Sequence, residues 1–236
     1  MDKLLNELVE KLEKAFGDRL VSVILYGSAA VGDHSGDYSD INIFCVLREV
    51  TPRELADAEP IVNWWRKKDN PSPLMMSADE VRSSTDCFPI EFHDIRERHR
   101  MLYGEDVVAG LEIDESFYRA QVEYQLRSML LRLRQKGAGV MQNRDVLLRM
   151  LAESVSTFCV LTRHALRLHG EDAAFEKRAV IEQAAGRFGL DAVPFLSLLD
   201  LREGKVKPKA LDSAALYGQY LSEIKKVIDA VDILEK

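Results

Sequence analysis

Residues 24–47, ILYGSAAVGDHSGDYSDINIFCVL, are the stretch on which the reading of this chain turns. The apolar run from Val21 to Tyr26 predicts a buried strand that ends at Gly27-Ser28. Ala29-Ala30-Val31 then predicts a short helix, whose N-terminus favours an anion. After a polar gap, Ser39-Asp40-Ile41-Asn42 leads into a second apolar run, Ile43 to Leu47. Side chains two apart on a strand point to the same face, so Asp40 and Asn42 are expected to look into one pocket. Gly27 lets a backbone come close to a phosphate, and the Ser28 hydroxyl and neighbouring amides can bind its oxygens.

A Gly-Ser turn after one strand and a spaced polar pair at the head of the next resemble the nucleotidyltransferase superfamily of DNA polymerase β. The family pattern is an apolar residue, Gly, Gly or Ser, a gap of about ten residues, and then Asp-x-Asp or Asp-x-Glu. This chain departs once, because the second acid is Asn42. The resemblance implies a nucleoside triphosphate substrate, ATP foremost, with Mg²⁺ or Mn²⁺. A nucleotidyl group would pass to a hydroxyl of a small molecule or a protein. Asp40 and Asn42 would hold the metal and Gly27 and Ser28 the phosphates. Two divalent ions can clamp both ends of such an in-line displacement, and they take hard oxygen ligands.

The resemblance also implies a third carboxylate on a later strand. Phe88-Pro89-Ile90-Glu91-Phe92-His93-Asp94-Ile95 reads as that strand, with Glu91 as the acid that completes the catalytic and metal set. On a strand Asp94 would face the other side. Alternatively, it would cap a following helix from Ile95 to Leu102, closed by Gly104. Asp40, Asn42 and Glu91 are expected to converge on one cleft, between an α/β domain and a helical one.

Helical spacing of Leu4, Leu5, Leu8, Val9, Leu12 and Phe16 predicts an amphipathic helix over 2–16, stopped by Gly17. Thr51-Pro52-Arg53-Glu54 reads as a capping box opening a helix through Trp64-Trp65. Leu74-Met75-Met76 is a candidate short strand, and Ser77-Ala78-Asp79-Glu80 opens another helix in the same way. Beyond about residue 115 only helical periodicity remains. The fold class expected is α/β (α+β): a small mixed-sheet nucleotidyltransferase domain over 1–110, then an all-α helical bundle over 115–236.

A net charge of −7 with intermixed Lys and Arg lacks the basic stripe of a nucleic-acid binder, so nucleic acid is not an expected partner. Cys45, Cys87 and Cys159 have neither metal nor disulfide spacing. Together with the lack of a signal-like N-terminus or a membrane-length apolar run, this points to a cytoplasmic chain with no membrane partner. Oligomeric state is not readable. Glu123 and Glu153 are candidate general bases for the acceptor hydroxyl. Arg96, Arg98 and Arg100 fit the charged face of a short helix, and His93 a semi-buried residue with satisfied partners. Two contrasting readings stand beside the transferase. One is a catalytically degenerate binding or regulatory module, suggested by Asn42. The other rests on Arg163 to His169, which loosely resembles the Arg-polar-x-His element of HEPN ribonucleases, although a helix turns these two residues about 120° from a shared face.

Overall fold

The computed structural model describes residues 1–31 and 41–234, so Asp40 lies outside the described residues. The chain divides between Phe117 and Tyr118 into two compact units.

The first unit is built on a mixed four-stranded sheet in the order β3-β2-β1-β4. Its strands are β1 (Leu20–Tyr26), β2 (Asn42–Leu47), β3 (Leu74–Ser77) and β4 (His99–Gly104). β1 is antiparallel to both β2 and β4, while β2 is parallel to β3. The parallel pair needs a crossover, which α2 (Pro52–Arg66) supplies. Helix α1 (Asp2–Phe16) and α2 cover one face: Leu5, Leu8, Leu12, Phe16, Ile61 and Trp65 pack with Val23, Leu25, Ile43 and Cys45. On the other face Ile24, Phe44 and Val46 meet Val81 of α3 (Ala78–Ser83) and Phe92 and Ile95 of α4 (Pro89–Glu97). Cover on both faces explains why the apolar runs of β1 and β2 are nearly unbroken, whereas the edge strands β3 and β4 are mixed in polarity. Each apolar side chain buried this way contributes about 1.5–3 kcal/mol.

Arg19 ties this layer together. It donates to the Ala15 and Phe16 carbonyls at the end of α1, at 3.0 and 3.3 Å, and to Asp57 on α2 at 2.8 Å. It also pairs with Glu54, which receives the Thr51 hydroxyl in the capping box expected from the sequence. The Thr51 hydroxyl has the largest effect on Glu54; burial opposes it, Arg19 adds to it, and the carboxyl settles at about 2.

The stretch 88–104 differs from its sequence reading. Residues Pro89–Glu97 are helical, and His99–Gly104, read as helix, is a strand. The apparent alternation Phe88-Ile90-Phe92 is part of a period near three: Ile90 and His93, and Phe92 and Ile95, are buried, while Glu91 and Glu97 face outward. Pro89 occupies the first turn, where its missing N–H costs nothing. Gly104 is not a helix stop. Its φ is +76°, and a Cβ there would lie 2.0 Å from the Val21 carbonyl oxygen. That closeness follows from Glu105 N–H bonding the same carbonyl at 3.2 Å.

The second unit is a helical bundle of α5 (Tyr118–Ala138), α6 (Arg144–Leu168), α7 (Lys177–Phe188), α8 (Val193–Arg202) and α9 (Ser213–Asp232). Helix α6 packs against each of the other four, and Phe158 stacks on Phe195 at 4.7 Å between ring centres. The residues behind the ribonuclease reading have structural employment here. Buried His164 lies 2.5 Å from the Tyr118 hydroxyl, Arg163 stacks over Phe175 at 4.1 Å, and His169 contacts the Ala230 carbonyl at 3.0 Å.

Two measurements test these packing arguments. Gly104→Ala should cost about 2–4 kcal/mol in urea unfolding, while Gly110→Ala, which meets nothing within 4 Å, should stay within about 0.5 kcal/mol. For Glu54, the folded carboxyl is depressed, so its stabilisation is complete above the ordinary glutamate value of 4.5 and is lost as pH falls towards about 2. Glu54→Gln should therefore lower the melting temperature at pH 7, and the gap from the native chain should close across that acid window.

Candidate functional site

Three residues form a row across one end of the sheet. Tyr26, the last residue of β1, pairs with Asn42 at the start of β2 and with His99 at the start of β4. Directly paired residues share a face, and two steps along their strands Ile24, Phe44 and Met101 belong to the core beneath α3 and α4. Tyr26, Asn42 and His99 therefore project on the α4 side, where the double cover of the sheet gives out. Tyr26 and Asn42 are half-buried there.

Gly27 follows immediately. It turns the chain at φ +80°, and its N–H donates to the Arg98 carbonyl at 2.9 Å. Its carbonyl accepts from Ala30 N at 3.1 Å, winding Ser28–Val31 into a single tight helical turn. A Cβ on Gly27 would sit 3.4 Å from Asn42 Nδ2, so the turn and the amide side chain are neighbours. Ser28 is exposed at this position. Of the residues picked from the sequence, Gly27, Ser28 and Asn42 are thus brought together.

Glu91 reaches the same neighbourhood by another route. It lies in the first turn of α4, where a carboxylate complements the helix dipole, and not on a strand. Burial raises the Tyr26 phenol above its ordinary value, and the Glu91 carboxylate raises it further, which puts that charge within reach of the row. The helix also reverses the expected relation to Asp94: three apart on α4, the two acids lie along one side of it. The adjoining strand β4 carries no acid, and the position beside Tyr26 is held by His99. His99 was missed because its strand was read as helix; the signal available was Met101-Leu102-Tyr103, a short apolar run between Arg100 and a glycine.

Asn42 and Glu91 offer hard oxygens suited to Mg²⁺ or Mn²⁺. Among the described residues no three His, Cys, Asp or Glu side chains gather as a metal group. The other candidates have settings of their own. Glu123 pairs with Arg127 at 2.7 Å and Arg119 at 2.8 Å; Arg127 above all, with Arg119 and against burial, holds its carboxyl below the ordinary range. Glu153 is exposed on α6. The three arginines do not share a helix face. Arg96 donates to the Leu111 carbonyl at 3.1 Å, Arg98 lends its carbonyl to Gly27, and Arg100 on β4 pairs with Asp2 at 2.9 Å. His93 is buried, with Nε2 2.9 Å from Glu115 Oε1. Cys45 and Cys159 are buried thiols that burial pushes up to about 12, and Cys87 is an exposed thiol that its hydrogen bond with Asp86 raises above the ordinary value. No described helix is long and apolar enough to cross a membrane.

The chain is similar in fold to an Enterococcus spectinomycin adenyltransferase, AAD(9), solved with ATP and spectinomycin. The superposition has a TM-score of 0.62 and covers 94% of this chain and 99% of that one, at 12% identity. A Methanocaldococcus jannaschii protein, whose name assigns it provisionally as a protein adenylyltransferase, is 33% identical over 55 residues. That match spans 23% of this chain and 37% of the relative. The sequence profile of the nucleotidyltransferase domain matches residues 3–131, which takes in the whole sheet, the Gly27 turn, Asn42 and Glu91. With more than half of its length matched, the chain belongs to the nucleotidyltransferase domain family.

Proposed function

We propose that this chain transfers a nucleotidyl group, from ATP foremost, to a hydroxyl on a small molecule or a protein, with Mg²⁺ or Mn²⁺ bound. The observation that carries this reading is the Gly27 turn. It is held open at positive φ beside Asn42, at the end of the sheet towards which α4 carries Glu91. In the reaction an acceptor hydroxyl gives its proton to a general base or to water as its oxygen bonds to the α-phosphorus, the bond from that phosphorus to the bridging β-phosphate oxygen breaks, and pyrophosphate leaves with the electron pair. Gly27 and Ser28 would bind phosphate oxygens through amides and hydroxyl, and Asp40, Asn42 and Glu91 would hold the ion. When bound, that ion neutralises charge on the phosphates.

Asn42 supports a second reading, a nucleotide-binding or regulatory module that keeps the fold without full catalysis. An amide oxygen can coordinate, but it brings no net charge. At about 4 Å a unit charge is worth about 1 kcal/mol in bulk water and about 4 kcal/mol at an effective dielectric near 20. A divalent ion feels roughly twice that before desolvation, so the missing charge weighs heavily on metal affinity.

Pyrophosphate release from ATP, screened over hydroxyl acceptors with aminoglycosides first, tests the transferase directly. ATP binding that ignores the metal, with no pyrophosphate from any acceptor, would leave the regulatory module. Titration calorimetry of Mg²⁺ or Mn²⁺ into the ATP-bound chain tests the site. Asn42→Asp should tighten the metal and raise transfer, and Asp40→Ala should abolish both. If both variants match the native chain in metal affinity, this end of the sheet is not a metal site.

A further inference from the structure

His99 belongs to the row, and both of its ring nitrogens face acceptors of this chain: a neutral imidazole donates to one of them and an imidazolium to both. Nδ1 lies 3.1 Å from the Arg96 carbonyl oxygen and Nε2 lies 3.1 Å from Asp106 Oδ2. Asp106 is itself anchored: its other oxygen accepts from the Val108 and Ala109 amides at 3.2 and 3.0 Å. Burial alone would raise the Asp106 carboxyl, but the bonds from His99 and from these two amides outweigh it and hold the group below the ordinary range. The imidazole therefore spans the bend between α4 and β4, tying residue 96 to residue 99 and both to the 106–109 turn.

Inside that bend lies Arg98, whose carbonyl receives the Gly27 N–H. A glycine at φ +80° has little side-chain packing to fix it, so the direction of its peptide groups depends on such bonds. The Arg98 carbonyl can aim at Gly27 only while the bend keeps its shape. Within the bend, His99 is the side chain whose ring nitrogens tie residue 96 to the 106–109 turn, and it stands directly across the strand from Tyr26, the residue before Gly27.

We propose that His99 is a positioning residue for nucleotide binding: through Arg96, Arg98 and Asp106 it sets the orientation of the Gly27-Ser28 turn. This deepens the reading of that turn as a phosphate site and rests on it. His99 touches no phosphate itself. Its effect falls on ATP affinity through the backbone, which separates it from a residue that coordinates or transfers.

The test uses the full chain and three variants. His99→Phe keeps a ring of similar shape and removes both nitrogens. His99→Asn puts an amide nitrogen where Nδ1 stands and restores the bond to Arg96. Asp106→Ala removes the far anchor from an exposed residue, and serves should His99→Phe fail to fold. Hydrogen exchange at the Gly27 amide is read by NMR without nucleotide, and the Kd for Mg·ATP by calorimetry. In His99→Phe, Gly27 exchange should speed up about tenfold and the Kd rise about tenfold, the equivalent of one lost hydrogen bond. Asp106→Ala should move both in the same direction, and His99→Asn should return both to within about threefold of the native values.

Unchanged Gly27 exchange in His99→Phe would overturn the proposal, as would a His99→Asn variant no better than His99→Phe. Faster exchange with native ATP affinity would overturn it too, because the brace would then not act on the nucleotide. If the native chain fails to bind ATP, the function reading falls instead, and the exchange measurement still decides whether the brace exists.

Discussion

Covering both faces of β1 and β2 is the constraint from which the rest of the first unit follows. Val23 and Leu25 look towards α1 and α2, and Ile24 and Phe44 towards α3 and α4, so no polar side chain can work in the middle of either strand without losing water on both sides. Chemistry is confined to the strand ends. At one end Tyr26, Asn42 and His99 stand abreast, and the chain leaves β1 through a glycine that no larger residue could replace without strain. The location of the candidate site is therefore a result of packing before it is a result of charge.

Much of this was legible in the sequence where one local rule sufficed. The apolar runs of β1 and β2, the capping boxes at Thr51 and Ser77 and the amphipathic α1 were all readable from patterns a few residues long. The Gly-Ser turn and the polar position at 42 were readable for the same reason. What failed was 88–104, where four apolar residues in eight fit period two and period three almost equally well. Ile95 decides the matter: it falls out of step with Phe92 on a strand and in step with it on a helix. The edge strand β4 hid behind His99 and Arg100 at its start, because an edge strand carries fewer apolar residues than a central one. His99 could not be singled out without that strand, since its neighbours Tyr26 and Asp106 are brought to it only by the pairing.

Glu91 shows how far the setting of one residue can depart from its sequence reading. The acid was sought on a strand and is found on a helix, yet its charge is still felt at Tyr26. A helix presents a carboxylate differently from a strand, because its first-turn amides favour the charged form and its neighbours three and four residues on share its side. Asp94 thus stands with Glu91, and that end of α4 is more acidic than the strand reading implied. In the second unit the opposite happened: the polar residues that invited a nuclease reading, Arg163, His164 and His169, stack on or bond to their own bundle. Burial pushes the Arg163 guanidinium down to about 10, with Arg167 adding to the effect.

The order of strands also has a consequence for how the molecule comes into being. β1 meets β2 after one short connection, but its other neighbour, β4, lies about seventy residues further along the chain. Closing so long a loop costs entropy before any contact repays it, so the β1–β4 pairing is expected to follow the β1–β2 pairing. Until then one edge of β1 stands open, Gly27 has no carbonyl to receive its N–H, and the row of three side chains is a row of two. The Gly27 turn is thus expected to take shape among the last parts of the first unit, and a chain halted before residue 99 would carry Tyr26, Gly27, Asn42 and Glu91 without the strand that braces them.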